Sequence, residues 1–136
     1  MSIYVLGALD LMKFRKAEVP NSPLAQATDY PGLIAAIRAR PGMYLGRLSL
    51  TRFEFYMQGI AVAEFLHDLP LDRRLAGFDW DGFEQWANAR FNPGRLSIRS
   101  FGMARRHAES EEAALGVWFD WYDQFLAERQ SGGGGA

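Results

Sequence analysis

The feature that most limits what this chain can fold into is a series of helix-patterned segments that end at proline or glycine. Apolar residues recur at helical spacing on both sides of the heptapeptide Arg40-Pro41-Gly42-Met43-Tyr44-Leu45-Gly46. Because Pro41 disfavours helical geometry at the residue before it, the first helix must end near Arg40. Pro70 and the run Asn92-Pro93-Gly94 end two later segments in the same way. The pattern predicts an all-α protein, a compact bundle of four to five helices.

Residues that can accept a hydrogen bond from an open helix end precede each segment. The predicted helices therefore begin at Thr28 or Asp29, at Ser49, at a capping box formed by Asp81 and Glu84, and at Ser110, and they end near Arg40, Leu69, Phe91 and Gln130. Residues 95–106 are ambiguous, because residues 96–101 alternate like a strand. We favour a short helix there, since the surrounding segments are helical.

The length of 136 residues fits one domain. Residues 1–27 are predicted to form an irregular N-terminal arm, residues 28–130 the helical domain, and residues 131–136 a flexible, glycine-rich tail. No run approaches the roughly 20 apolar residues that a membrane span needs. The first residues also lack the basic start of a signal peptide. The sequence therefore predicts a soluble, cytoplasmic protein.

Several kinds of chemistry have no residues to support them. Without cysteine, the chain cannot form disulfides, thiolate metal sites or a cysteine nucleophile. The two histidines, His67 and His107, have no second ligand or base at a recognisable spacing. Neither a glycine-rich phosphate loop nor a nucleophile elbow is found. We therefore expect a protein that is not an enzyme and that has no catalytic residue, metal or cofactor.

Charge is unevenly distributed along a chain whose formal net charge is −1. Residues 108–136 carry six acidic residues and one arginine, and the last helix also contains a cluster of aromatic residues. An aromatic side chain flanked by acids, such as Trp121, is a good anchor for a protein partner. The predicted partner-binding residues are Glu111, Glu112, Asp120, Trp121, Asp123 and Glu128. Homo-oligomerisation through the last helix is an open alternative.

A basic stretch precedes this helix. Residues 90–106 contain no acid and five arginines, namely Arg90, Arg95, Arg99, Arg105 and Arg106. One interpretation is a contact with phosphate or nucleic acid. The other, which we favour, is pairing with the acidic last helix, because nucleic-acid binders usually have a larger basic excess than this chain.

The heptapeptide resembles the Arg-Pro-Gly-Met-Tyr-Ile-Gly segment near the start of the ATPase domain of DNA gyrase and topoisomerases. The Asp-x-Gly-x-Gly nucleotide loop of that family is missing here, so ATPase activity is not expected. Structural roles are predicted instead. Pro41 and Gly42 turn the chain, Met43, Tyr44 and Leu45 pack between the flanking helices, Gly46 adopts a backbone geometry that a side chain would hinder, and Arg40 caps carbonyls at the helix end. A ligand-binding loop is the alternative.

Across roughly residues 30–128, the order of motifs resembles a family of small bacterial proteins that are similar to immunity proteins of toxin systems. The resemblance rests on the heptapeptide, on the helix start at residues 49–53, on the Phe/Trp motif of residues 83–91 and on the acidic, aromatic final helix. It implies a non-enzymatic protein that neutralises a cognate toxin by binding it. A nucleic-acid or phosphate-binding accessory protein that uses the basic stretch is the alternative function.

Overall fold

The computed structural model describes residues 23–135, and no side-chain detail is given for Ala25 or for residues 133–135. Most of the predicted N-terminal arm therefore lies outside the described residues. The helices are α1 (Pro23–Gln26), α2 (Tyr30–Ala39), α3 (Pro41–Leu45), α4 (Leu50–Leu66), α5 (Trp80–Phe91), α6 (Ser100–Arg106) and α7 (Glu111–Gly135), with a 3₁₀ turn at Leu71–Arg73. Residues 23–135 contain no strand, which confirms the all-α prediction.

Where the sequence predicts one helical domain, the described residues form two compact units. The first comprises residues 23–40 and 75–78. Asp29 caps α2 by accepting a hydrogen bond from the N–H of Gly32 at 2.8 Å, and the N–H of Tyr30 donates to the carbonyl of Ala76 at 2.8 Å. Gly77 has a φ of +89°, and a Cβ there would lie 3.1 Å from the Cβ of Asp29. The predicted start of this helix is confirmed.

The second unit, residues 41–74 and 79–135, is a bundle in which α7 packs against α4, α5 and α6. Its core consists of aromatic rings around Trp118, which is fully buried. The Trp118 ring stacks on Phe101 with a centroid distance of 5.3 Å, and it contacts Phe53 at 5.0 Å and Phe83 at 5.3 Å. Burial of several large rings supplies much of the hydrophobic stabilisation of such a unit.

Two further predicted helix caps are confirmed, and the capping box is wrong. Ser49 and Ser110 accept hydrogen bonds from the backbone of α4 and α7 at 3.3 and 3.0 Å. The cap of α5, however, is Asp79, which accepts from the N–H of Gly82 at 2.9 Å. Asp81 therefore lies in the first turn. The carboxylate of Glu84 accepts from the N–H and the hydroxyl of Ser100 at 2.7 and 2.6 Å, so it holds the start of α6.

The helix ends differ more from the prediction than the starts. α4 ends at Leu66, because Asp68 takes a left-handed φ of 49° and the N–H of Leu69 turns back to the carbonyl of Glu64 at 3.1 Å. α7 continues to Gly135, beyond the predicted end at Gln130, and so includes most of the predicted tail. Extending a formed helix costs less than starting one, since each added residue gains a hydrogen bond.

Residues 95–106 are divided by the structure. Residues 92–99 form a connection, and Ser100–Arg106 is the short helix α6. The strand alternative is therefore wrong. Among the helices that the structure describes, none is long and apolar enough to cross a membrane.

Candidate functional site: an exposed apolar face on α4

The burial of α4 changes along its length. Leu50, Phe53 and Met57 lie in the core of the bundle. From residue 58 to residue 66, every side chain is exposed or only half-buried. The exposed fractions of the large apolar side chains are 64% for Phe55, 54% for Val62, 75% for Phe65 and 72% for Leu66. α4 is thus a helix with apolar residues on two sides, of which the bundle covers one.

We define the α4 face by Phe55, Gly59, Val62, Phe65 and Leu66. Four of these follow one another at intervals of four, three and four residues, which places them on the same side of the helix. Phe65 lies beside these four residues, because it follows Val62 by three positions. The two phenylalanine rings alone expose on the order of 250 Å². Contiguous apolar patches above a few hundred Å² are rare on soluble monomers and mark interaction sites.

A small hollow lies at the N-terminal end of this face. Its volume is about 340 Å³, and it is lined by Tyr44, Leu45, Arg52, Phe55 and Tyr56. Arg52 is fixed there, because its Nη1 donates to the carbonyl of Leu45 at 2.9 Å. Burial, with a further contribution from Tyr44 nearby, raises the pKa of Tyr56. The phenol of Tyr56 therefore stays neutral at physiological pH and offers a hydroxyl rather than a charge.

The heptapeptide forms one wall of this hollow. Gly46 has a φ of +81°, and a Cβ there would lie 2.5 Å from Nη1 of Arg52, which confirms its predicted backbone role. Pro41 begins the short helix α3 rather than a simple turn. Leu45 is buried and Tyr44 half-buried, but the predicted packing of Met43 is wrong, because 68% of its surface is exposed. Carbonyl capping by the side chain of Arg40 stays a prediction.

The predicted partner-binding residues of α7 are not one surface. Glu111 is half-buried and is engaged with the start of α4, because its carboxylate accepts from the hydroxyl of Ser49 at 3.1 Å and from the N–H of Thr51 at 2.7 Å. The pKa of Glu111 lies below its usual range. The largest cause is the hydrogen bond from the side chain of Thr51, and the hydrogen bonds from the backbone of Thr51 and from Ser49, with nearby Arg105, add to it. Burial has the opposite effect. Glu111 therefore secures the start of α4.

The predicted role of Trp121 is wrong. The sequence predicts a surface anchor at this position, but Trp121 is buried and stacks on Phe91 with a centroid distance of 4.1 Å. The edge of the His107 ring also contacts Trp121. The buried side of α7 is wide enough to include Trp121 although acids flank it in sequence.

The other acids of α7 lie at the surface. Glu128 accepts from Nε1 of Trp86 at 3.2 Å and from Nη2 of Arg90 at 2.5 Å, and the guanidinium of Arg90 sits over the Trp86 ring. Glu112, Asp120 and Asp123 are exposed.

Two of the five arginines in the basic stretch pair with the last helix, as the favoured interpretation predicts. Arg105 forms ion pairs with Glu54 and with Glu111, and Arg90 pairs with Glu128. The partners come from α4 as well as from α7. Arg99 is 70% exposed and lies 4.0 Å from Glu84. This pairing reduces the positive charge that the stretch can offer to phosphate.

The described part of the chain contains no cluster of three or more histidine, aspartate and glutamate residues placed to hold a metal ion. Nε2 of His107 lies 3.0 Å from the carbonyl of Phe91, so this ring closes the end of α5. His67 is exposed at the end of α4. A hollow of about 610 Å³ beside α5 is lined by Glu84 and Asp81, among others, and it is open to solvent.

Sequence reasoning misses the α4 face. The signal is present, since Phe55, Val62 and Phe65 fall outside the apolar stripe that contains Leu50 and Phe53. A pattern of this width is equally typical of a helix buried on all sides. Comparison of the chain with protein-family models, curated proteins and solved structures finds no match.

Proposed function

We propose that this protein is a non-enzymatic protein-binding module that docks a partner on the α4 face. The observation that carries the proposal is the set of four large apolar side chains exposed along α4. Binding energy at protein interfaces concentrates in a few large side chains that fit into neighbouring pockets. The α4 face has both components, because Phe55 borders the hollow beside Tyr44 and Arg52.

The partner we expect is a segment with an apolar face of its own, such as an amphipathic helix. Side chains at helical spacing on α4 match the way in which such helices pack against each other. Gly59 lies in the middle of the face, and nothing lies within 4 Å of a Cβ built there. A partner helix can therefore approach α4 closely at that point.

The specific role that we propose is neutralisation of a bacterial toxin, with the toxin as the partner. It rests on the resemblance to immunity-type proteins, which need a stable scaffold and an exposed binding patch. Neutralisation would consist of covering the toxin. The exposed acids of α7, Glu112, Asp120 and Asp123, would then speed association with a basic toxin surface.

The docking surface can be tested by affinity capture from the native organism with three forms of the protein. The wild type is expected to retain one stoichiometric partner. Val62→Glu is expected to lose it, because a charge would be buried in the apolar contact. Gln124→Glu, which adds the same charge at an exposed position of α7, is expected to keep it. Loss of the partner only in Gln124→Glu would assign binding to α7 and contradict the proposal.

The toxin role has a separate test. Expression of the captured partner alone is expected to arrest growth, and co-expression of the wild-type chain is expected to restore it. Val62→Glu, which changes a half-exposed position and should fold normally, is expected not to restore growth. A partner that is harmless when expressed alone would exclude the toxin role and leave the binding module intact.

A further inference from the structure

We infer that in the free protein the α4 face is covered by the α4 face of a second copy, with the two helices antiparallel about a two-fold axis. The inference rests on the proposed docking surface and adds to it, because a partner must then displace the second copy. Two-fold pairing requires a surface that is complementary to itself. The side chains on α4 meet that requirement in both size and charge.

The sizes match if the axis passes midway between Gly59 and Val62. Phe55 of one copy then lies opposite Leu66 of the other, and Gly59 lies opposite Val62. Large side chains meet at both ends, and the exposed glycine at the centre receives the β-branched side chain. This alternation lets two helices approach within the 8–10 Å that is usual for packed pairs.

Each end of α4 has a charge that bears on the pairing. Arg52 lies in the first turn of the helix, and Asp68 follows its last turn, where Nε of Arg74 also donates to the carbonyl of Leu69 at 2.8 Å. An antiparallel pair brings the Arg52 of each copy near the Asp68 of the other, whereas a parallel pair would bring like charges together. The formal net charge of −1 adds little general repulsion between copies.

The exposed area sets the expected strength of the pairing. Two rings that expose on the order of 250 Å², with Val62 and Leu66 beside them, fall short of the roughly 800 Å² per partner of a standard stable interface. We therefore expect a reversible dimer with a dissociation constant of about 1–100 μM. Such a dimer can be displaced by a partner that covers a larger area.

Two glycines provide a matched test. Gly59 on α4 and Gly116 on α7 are both exposed helical residues with nothing within 4 Å of a built Cβ. Sedimentation velocity over a concentration series from about 1 μM to 1 mM is expected to show a monomer–dimer equilibrium for the wild type and for Gly116→Arg. Gly59→Arg is expected to stay monomeric, with an unchanged circular dichroism spectrum. A Gly59→Arg variant that dimerises like the wild type would overturn the inference.

The register can be tested with introduced cysteines, because the chain has none of its own. Oxidation of a mixture of Phe55→Cys and Leu66→Cys chains is expected to give a cross-linked pair. Phe55→Cys alone is expected not to cross-link, since its two copies would lie about 16 Å apart along the helix, beyond the roughly 7 Å that a disulfide spans. Cross-linking of Phe55→Cys with itself would indicate parallel pairing and overturn the inference.

A wild type that stays monomeric at every concentration would also overturn it. This outcome counts against the inference even if chains that lack residues 1–22 do form dimers. In that case the N-terminal segment, and not a second copy, would be what covers the α4 face. Either result would leave the partner capture and its dependence on Val62 unaffected. Conversely, a dimer with this register and no captured partner would contradict the proposed function alone.

Discussion

At the scale of single residues, carboxylates from one helix secure the start of another. Glu84 of α5 accepts from the backbone and hydroxyl of Ser100, whose oxygen in turn accepts from Nε1 of Trp118 at 3.0 Å. Glu111 does the same for α4. The sequence could not reveal either role, since both partners are distant along the chain. It placed Glu84 in a local capping box because that pattern is recognisable within four residues.

Replacing Glu84 by alanine should destabilise the protein by about 2–3 kcal/mol, because it leaves the fully buried Ser100 without its acceptors. The exposed neighbour Asp81 should tolerate alanine with a change of less than about 0.5 kcal/mol. Urea unfolding of the two variants measures the difference. A larger loss of stability for Asp81→Ala than for Glu84→Ala would contradict this and support the capping box predicted from the sequence.

The dependence of stability on pH should include a contribution from Glu111. Its pKa is lower in the folded protein than in the unfolded chain, where the usual value is 4.5. The stabilisation is therefore fully present above about pH 4.5 and is lost as the pH falls through the folded value. Glu111→Gln should be less stable than the wild type near pH 7, and the two should converge in acid. Thermal unfolding between pH 3 and pH 7 would show this, and a constant difference would contradict it.

At the scale of helices, starts were more predictable than ends. Asp29, Ser49 and Ser110 have capping side chains that act on residues three positions away, so the local sequence contains the information. The end of α4 depends on Asp68 entering the left-handed region, which aspartate does less readily than glycine. Nothing in the sequence distinguishes this end from an end at Leu69.

The effect of a glycine-to-alanine substitution on stability should depend on the backbone conformation of the glycine. Gly59→Ala and Gly116→Ala should each stabilise their helix by about 0.5–1 kcal/mol, because both positions are helical and open. Gly46→Ala should destabilise by about 1–2 kcal/mol, since its φ of +81° strains any residue with a Cβ. Chemical denaturation of the three single variants gives the comparison. A stabilised Gly46→Ala variant would be inconsistent with the left-handed turn.

At the scale of the whole molecule, the sequence predicted the fold class and not the surface. Rings recur at helical spacing in α4, α5 and α7, and they form the aromatic core. Which side of α4 is covered depends on the number of helices available to pack against it, and periodicity does not contain that number. The prediction of one acidic surface on α7 was wrong for a similar reason, since folding brings Glu111 to Ser49 and Glu128 to Arg90.

The uneven burial of α4 has a consequence for its motion. Leu50, Phe53 and Met57 anchor one end of the helix in the core, whereas the side chains from residue 58 to residue 66 are exposed or half-buried. Its backbone amides should therefore exchange hydrogen for deuterium slowly up to about residue 57 and progressively faster toward Leu66. Whatever covers the α4 face should even out this gradient, and mass spectrometry of α4 peptides would record the change whatever the identity of the partner.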